Sequence, residues 1–302
     1  MLKKGDKTII GIDHGYGYIK SAQTIMKSGI KELPIAPPFT EDLLEFNGNI
    51  YVVGQTRTEH SADKTINQEY YILTLASMAE EMKKGKVSKL DNVIIAAGLP
   101  YSFISAQKNS FRRYLTKNKN IDFKYEGKKY HIGIKDAKIF PQGFPVIAKQ
   151  LGKYKGKTVS IADIGSRTID ILTFRDGKPL YEMCFSIDNK GTLDCIDMVM
   201  KYHLAKFQQE IQEEDIQRIF QDKTVTLSKE SVKFVKELIK MYIDDVMKQI
   251  VGKGVTGETI FCGGGATVVK NYYKNLPDTC IIQEDIHCNA AGYEMLAFNT
   301  LK

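Results

Sequence analysis

The first segment with the residue types of a phosphate site is Asp13-His14-Gly15-Tyr16-Gly17-Tyr18-Ile19-Lys20. It follows an apolar run, which predicts a buried strand that ends in a turn. Glycines at 15 and 17 let backbone N–H groups approach phosphate oxygens because no Cβ intervenes, and Lys20 supplies positive charge. Asp13 suits Mg²⁺, which takes one or two carboxylates and otherwise stays hydrated. For this octapeptide alone, an ordinary hairpin turn is the alternative.

A second segment repeats this pattern half a chain later. Asp163-Ile164-Gly165-Ser166-Arg167-Thr168-Ile169-Asp170 also follows an apolar run and returns as a strand, and its first aspartate stands 150 residues after Asp13 in a chain of 302. A pattern that recurs at half-length predicts two like-folded lobes. Two such loops facing each other across a cleft would hold a polyphosphate, with Asp13 and Asp163 converging on one cation.

Two further turns complete the candidate site. Pro141-Gln142-Gly143 follows a predicted strand, and a neutral glutamine there can orient an attacking water for in-line phosphoryl transfer. Gly263-Gly264-Gly265-Ala266 lies between a predicted strand and a predicted helix, where the backbone can approach a base or a phosphate closely. The alternative for Gln142 is an ordinary polar residue in a turn, and the alternative for the glycine run is a tight strand-to-helix turn.

The elements that must position these turns follow from periodicity and stop signals. In 67–84, apolar residues recur at Tyr71, Leu75, Met78 and Met82, which predicts an amphipathic helix. The Pro-rich segment near 29–60 contains the hairpin signal Asn47-Gly48. The other predicted helices are 105–117, 144–151, 192–207, 213–221, 228–253 and 289–298, and the predicted strands are 8–12, 93–97, 138–140, 158–162, 168–174 and 259–262, with a hairpin at 125–129.

Length and charge narrow the class of protein. Single cores stop growing at about 250–300 residues, so 302 residues favour two lobes. The net charge of +7 raises the question of a nucleic-acid partner, but only six of the 43 basic residues are arginine, the side chain preferred for base recognition. We therefore expect a solvated lysine surface and no direct DNA binding.

Cysteine content and hydropathy indicate the compartment. Five cysteines without a Cys-x-x-Cys pair favour neither a disulfide framework nor a zinc site. We expect reduced thiols in a cytoplasm. No stretch approaches the ~18 apolar residues of a membrane span, so no membrane partner is expected.

In order and spacing, D-x-G-x-x-x-x-K, P-Q-G, D-x-G-S-x-T-x-D and G-G-G-A resemble the actin/Hsp70/sugar-kinase superfamily. Three shorter segments, 50–54, 98–100 and 289–293, resemble the ParM/StbA group of bacterial and archaeal actin-like proteins. The resemblance covers nearly the whole chain. It implies an α/β fold of two related actin/RNase H-like lobes, each a mixed sheet flanked by helices, around a central nucleotide cleft.

The resemblance also implies a division of the chain. The first lobe would span 1–157, with an inserted subdomain near 29–60 and a C-terminal helix, 286–302, that returns to it. The second lobe would span 158–285, with a helical subdomain near 200–257. We assign the insertion to the filament contact surface; a passive cap on the first lobe is the alternative.

Roles for individual residues follow from the same resemblance. Asp13 and Asp163 would hold Mg²⁺ through water, and Gln142 would position the attacking water. Ser166 stands where many relatives have a second glycine, and contacts to ribose and adenine within 206–224 find no individual match. The remaining nucleotide-binding positions would be Gly15, Tyr16, Gly17 and Lys20 in the first loop, Gly165, Ser166 and Thr168 in the second, then Gly191 and Thr192, and Gly263, Gly264 and Gly265 beside the adenosine.

The function implied is that of an ATPase whose ATP- and Mg²⁺-bound form polymerises head-to-tail and whose filament disassembles after hydrolysis to ADP. An adaptor protein would join the filament to plasmid DNA. A small-molecule kinase of the same superfamily is the first alternative, although no further acidic residue is marked as its base. A non-hydrolysing scaffold is the second, and the presence of both aspartates and Gln142 argues against it.

Overall fold

Two mixed β-sheets flanked by helices make up the computed structural model, which confirms the predicted α/β fold. The structure describes residues 1–57, 63–148, 150–255 and 257–301. The chain forms two units, Met1–Ala148 with His287–Lys302, and Lys149–Ile286. The last three residues of the predicted 29–60 insertion lie outside the described residues, as does the last residue of the predicted 286–302 segment.

Seven strands precede the first helix, and groups of strands and helices follow one another from there. The strands are β1 (Leu2–Lys4), β2 (Lys7–His14), β3 (Tyr18–Ser21), β4 (Ile25–Lys27), β5 (Ile30–Leu33), β6 (Leu43–Phe46), β7 (Asn49–Val53), β8 (Lys89–Leu99), β9 (Asn120–Tyr125), β10 (Lys128–Pro141), β11 (Thr158–Ile164), β12 (Thr168–Arg175), β13 (Lys178–Pro179), β14 (Phe185–Asp188), β15 (Glu258–Cys262) and β16 (Cys280–Ile282). The helices are α1 (Glu69–Lys84), α2 (Tyr101–Leu115), α3 (Phe144–Ala148), α4 (Thr192–Phe207), α5 (Glu213–Phe220), α6 (Lys229–Gly252), α7 (Ala266–Tyr272) and α8 (Cys288–Thr300). Short 3₁₀ turns span Leu151–Tyr154 and Tyr181–Met183.

The sheet of the first unit has the order β4-β3-β2-β8-β10-β9-β6-β7-β5, with β1 paired to β2. Its three central strands, β2, β8 and β10, run parallel. Since the carboxyl ends of parallel strands meet at one edge, where open α/β sheets bind ligands, Asp13 and Gln142 come to the same place. The segment from β5 to β7 continues this sheet, because β6 pairs with β9.

Helices cover both faces of that sheet. Ile10 and Ile12 of β2 pack into a core with α1 and α2, whereas Ile9 packs with Tyr293 and Ala297 of α8 on the other face. This alternation is the two-residue period of a strand. The parallel strands are therefore buried on both sides, which explains their near-continuous apolar sequences.

The second sheet has the order β13-β12-β11-β15-β16, with β14 paired to β12. Strands β11, β15 and β16 run parallel, and β12 returns antiparallel to β11. Helices α4 to α7 pack on this sheet in one apolar cluster. Ser228 caps α6 by accepting a hydrogen bond from the Ser231 N–H at 3.1 Å, the usual role of serine at a helix start. Across the described ranges, no helix is long and apolar enough to cross a membrane.

Candidate functional site

Asp13 is the centre of the candidate site in the first unit. It lies at the end of β2 directly opposite Lys20 of β3, and it is buried. The Gln142 Nε2 donates to Asp13 Oδ1 at 3.1 Å, and the Lys20 ammonium lies 3.5 Å from Asp13 Oδ2. Gln142 is itself fixed where β10 ends, by a 2.9 Å bond from its N–H to the Leu99 carbonyl. Three residues predicted from two separate motifs thus lie together.

The loop between β2 and β3 has its carbonyl groups bonded to the protein. Ser28 donates from Oγ to the Gly15 carbonyl at 2.7 Å and from its N–H to the Gly17 carbonyl at 3.0 Å. Arg57 also donates to the Gly17 carbonyl, at 2.8 Å, and Lys64 donates to the His14 carbonyl. Carbonyl oxygens repel anions, so these bonds favour a loop that accepts phosphate. No motif marks Ser28, Arg57 or Lys64, because each is far from the loop in sequence.

Lys64 is a buried cation beneath this loop. Only 2% of the residue is exposed. Its ammonium lies 4.8 Å from the centre of the Tyr16 ring and 5.4 Å from that of Tyr70. A buried ammonium needs hydrogen bonds or electron-rich partners, and the His14 carbonyl and these two rings supply them. Two lysines therefore contact the loop or its flanking strand end: Lys20 through Asp13, and Lys64 through the His14 carbonyl and the Tyr16 ring.

His14, the last residue of β2, is a neutral and fully buried side chain. Thr74 donates its hydroxyl hydrogen to the Tyr70 carbonyl at 2.5 Å, so the His14 Nε2–H must be the donor in its 2.8 Å bond with Thr74 Oγ1. Burial, followed by the nearby charge of Lys64, lowers the pKa of His14 to about 3. His14 thus adds no positive charge at neutral pH.

The second unit repeats the hairpin with different charges. Asp163 of β11 lies directly opposite Asp170 of β12, so the register matches that of Asp13 and Lys20. Both carboxylates are buried, and Asp170 Oδ1 accepts a 2.5 Å hydrogen bond from Ser186 Oγ. Where the first unit places an ammonium opposite its aspartate, the second places another carboxylate.

Backbone groups at the start of α4 hold the second loop. The Thr192 N–H donates to the Gly165 carbonyl at 3.0 Å, the Leu193 N–H to the Ser166 carbonyl at 2.8 Å, and the Lys190 N–H to the Arg167 carbonyl at 3.3 Å. The Gly165 N–H closes the turn on the Thr168 carbonyl at 2.9 Å. The loop carbonyls are again bonded to the protein, here by main-chain donors.

Gly191 and Arg167 fix α4 against this loop. A Cβ at Gly191 would lie 2.2 Å from the Ser166 carbonyl carbon, so only glycine allows this close approach. Arg167 bridges Asp194 and Asp197 of α4 at 2.7 Å each. The predicted positions Gly191 and Thr192 therefore contact the predicted loop 165–168 directly.

The glycine turn after β15 packs against the end of β11. A Cβ at Gly263 would lie 2.4 Å from Asp163 Oδ1, and one at Gly265 would lie 2.1 Å from Ile164 Cγ2. At Gly264 the position of a Cβ has nothing within 4 Å. Packing alone thus explains two of the three glycines, and Gly264 is the one whose Cα faces open space.

The donor chemistry of each aspartate, taken within its own unit, fits magnesium held through water. Among the described residues, no group of three or more His, Cys, Asp or Glu side chains is arranged to hold a metal ion. Mg²⁺ bound to phosphates needs only one or two carboxylates and keeps its other ligands as water. Asp13 is already paired with Lys20, which favours contact through a water molecule over direct coordination.

Comparisons with known families define the class of this fold. Residues 11–144 match the model described as the N-terminal domain of actin-like proteins. Residues 161–275 match the model described as the C-terminal domain of the archaeal, MreB-like actin homologue. Both models describe actin-like domains, and their order along the chain confirms the resemblance drawn from its motifs. No curated protein matches the sequence.

Solved structures show the same fold over almost the full length. The archaeal actin homologue Ta0583 superposes with a TM-score of 0.77 at 18% identity, covering 97% of this chain and 99% of that one, and it has also been solved in complex with ADP. A 15-stranded ParM filament from Clostridium botulinum gives 0.77 at 19% identity, with the same coverage. ParM from Bacillus thuringiensis with AMPPNP gives 0.70 at 18%, covering 98% and 100%.

Proposed function

We propose that this protein is an ATP-dependent, polymerising actin-like ATPase. The observation that carries the proposal is the repeated hairpin, in which an aspartate ends the first strand and the loop carbonyls are bonded to the protein, once in each unit. Similar folds have been solved with ADP and with AMPPNP, which supports a nucleotide as the ligand of these loops.

The site residues have distinct proposed roles. Asp13 and Asp163 hold a magnesium ion, which when bound neutralises phosphate charge. Gly15, Tyr16, Gly17 and Lys20 bind phosphate from the first unit, as do Gly165, Ser166 and Thr168 from the second. Gly191 and Thr192 lie near the nucleotide, and Gly263, Gly264 and Gly265 border the adenosine.

Gln142 is the proposed water-positioning residue. Its Nε2 donates to Asp13, so its Oε1 is the atom left to accept a hydrogen bond from the attacking water. A neutral side-chain oxygen held this way orients a nucleophile without adding charge. In this proposal Asp13 both holds the cation and orients the glutamine side chain by accepting its hydrogen bond.

The assembled state we propose is a head-to-tail filament. A ParM of this fold has been solved as a filament, and a heterologous contact that does not close gives a helical polymer. Hydrolysis to ADP would weaken that contact and release subunits. An adaptor protein would connect the filament to plasmid DNA in the cytoplasm, which accords with a lysine-rich, arginine-poor surface.

The test combines three measurements on the purified protein with ATP and Mg²⁺. We expect phosphate release without any added sugar, a rise in light scattering that reverses as ATP is consumed, and filaments by electron microscopy. Phosphate transfer that requires a sugar would identify a small-molecule kinase instead. ATP binding without phosphate release would identify a non-hydrolysing scaffold, and hydrolysis without sedimentable polymer would refute the filament.

A further inference from the structure

A groove of about 780 Å³ lies in the second unit, bounded by the segment after α5, the first half of α6 and the end of α7. On α7 the groove contacts Asn271, Tyr272 and Lys274, at and beyond the last turn, whereas Gly263–Gly265 precede the first turn. Its residues 222–224 are the end of the segment 206–224, in which the resemblance implies ribose and adenine contacts without an individual match. Two acidic residues line it, Asp222 and Glu237, against six lysines: Lys223, Lys229, Lys233, Lys236, Lys240 and Lys274.

Four of these lysines form one row along α6. Lys229, Lys233, Lys236 and Lys240 are spaced by four, three and four residues, so they share one face of the helix. The row covers about 16 Å at 1.5 Å per residue. Like charges at this spacing destabilise a helix, and the helix dipole disfavours a lysine in the first turn. Helix stability therefore does not account for the row.

The positive charge is only partly neutralised within the chain. Lys236 pairs with Asp222 at 2.5 Å, and Lys240 with Asp244 at 3.0 Å. For Lys223, Lys229, Lys233 and Lys274, no carboxylate among the described residues lies within the 4.0 Å of an ion pair. All four are exposed. The groove thus keeps unpaired cations on both of its sides.

The floor of the groove is apolar. Val225, Leu227 and Val232 are half-buried, and Tyr272 is buried with its hydroxyl donating to the Ile219 carbonyl at 2.6 Å. The Tyr272 ring and the three aliphatic side chains therefore present carbon atoms between the lysines. A ligand that fits must offer both negative charge and apolar groups.

We propose that this groove binds an acidic, amphipathic helical segment of a partner protein. Glutamate or aspartate side chains on one face would pair with the lysine row, and aliphatic side chains on the other would cover Val225, Leu227 and Val232. About three helical turns match the length of the row. Duplex DNA offers no apolar group to such a floor, and the lining contains no arginine, the side chain preferred for nucleic-acid recognition.

The probe is a fluorescein-labelled 14-residue peptide with glutamates on one helical face and leucines on the other. Binding is measured by fluorescence anisotropy on the full chain without nucleotide, so the result does not depend on the proposed ATPase. We expect Lys229→Glu with Lys233→Glu to weaken binding at least about 10-fold, because close charge pairs become repulsive. Lys248→Glu, at an exposed position on the same helix outside the groove, should leave the affinity unchanged.

Two comparisons make the result decisive. A peptide of the same composition, scrambled so that its acidic and apolar residues do not segregate, should bind at least about 10-fold more weakly, since it cannot place both sets of groups at once. Equal binding of the scrambled peptide, or unchanged binding to the charge-reversed variant, would overturn the proposal. So would a 20-base-pair duplex that binds more tightly than the peptide and loses its affinity in the double variant.

Discussion

Asp13 and Asp163 are the same residue at equivalent points of a repeat, yet their neighbours differ. Asp13 is opposite an ammonium and accepts from a glutamine amide, whereas Asp163 is opposite a second carboxylate. A lysine opposite a carboxylate favours its charged form, whereas a second carboxylate opposite it does not. The same position of the repeat therefore faces a different charge in each unit.

The first prediction concerns Asp163. Asp163→Ala should lower ATP hydrolysis by at least about 100-fold, because it removes a preorganised electrostatic group, while the fold is retained. Phosphate release with a circular-dichroism check measures this. Asp197→Ala, which alters the exposed partner of Arg167, is the control and should retain most activity. Turnover at the wild-type rate in Asp163→Ala would show that the metal site is elsewhere.

The second prediction concerns acid stability and His14. Its pKa is about 3 in the fold against 6.5 when unperturbed, so below pH 6.5 the unfolded chain takes up a proton that the native state does not. The contribution of neutral His14 to the free energy of unfolding is therefore fully present above pH 6.5. Between pH 6 and 4 the free energy of unfolding should fall by about 1.4 kcal/mol per pH unit because of this residue. In His14→Gln, urea unfolding at a series of pH values should give a free energy of unfolding that falls less steeply with decreasing pH, by that amount. The same pH dependence in the variant and the wild type would contradict a buried neutral histidine.

Of the individual site residues, the sequence predicted those that belong to a local motif. Asp13, Lys20 and Gln142 were predicted and lie in contact. Ser28, Arg57 and Lys64, which bond the first loop, were not, because a side chain that reaches a carbonyl from 13 or more positions away leaves no local pattern. The neutral state of His14 depends on burial, which periodicity alone does not reveal for a residue at a strand end.

Among the elements, the turn after β15 offers a test with neighbouring residues. Gly265→Ala places a Cβ 2.1 Å from Ile164 Cγ2, so β11 and α7 must move apart, and overpacking of this kind costs about 1–3 kcal/mol. Gly264→Ala meets open space and should change stability by less than about 0.5 kcal/mol. Chemical denaturation compares the two. A nucleotide affinity that falls in the stable Gly264→Ala variant would support contact with adenosine; equal destabilisation of both would contradict the packing described.

Helices with clear start and stop signals were predicted closely, and the longest central strand was not. The expected 192–207 and 228–253 correspond to Thr192–Phe207 and Lys229–Gly252, since a glycine and a serine precede them. In contrast, β10 is one strand of 14 residues, where the sequence indicated a hairpin arm and a separate short strand. Register shifts at Ile132–Ile134 and Ile134–Asp136 disrupt the alternation of apolar residues along β10. The sequence pattern therefore predicts two separate strands where the structure has one.

For the whole molecule, the half-length repeat was the decisive sequence feature. It predicted two related sheets, and the structure has one in each unit. It did not predict that the first sheet extends to ten strands through β5, β6 and β7. That extension depends on pairing between β6 and β9, which lie far apart in sequence and share no motif.

The last prediction concerns assembly. The loop between β5 and β6 exposes two large apolar side chains, Ile35 and Phe39, at 79% and 78%, and exposed apolar patches mark interaction surfaces. Ile35→Ser with Phe39→Ser should abolish ATP-dependent sedimentation while leaving phosphate release at low protein concentration unchanged. Tyr181→Ser, which alters another exposed side chain, at 72%, is the control. Normal polymer from the double variant would favour the passive-cap alternative.

The different means of holding the two loops affect their tolerance of mutation. The first loop is held by side-chain donors of Ser28, Arg57 and Lys64. A single substitution at any of these positions therefore removes a hydrogen bond to the loop. The second relies on main-chain N–H groups of α4, which nearly every substitution preserves. In a saturation library, loss-of-function changes should therefore spread widely through the first half of the chain and concentrate on a few positions such as Gly191 in the second. The two copies of the repeated hairpin would then accumulate amino-acid substitutions at different rates.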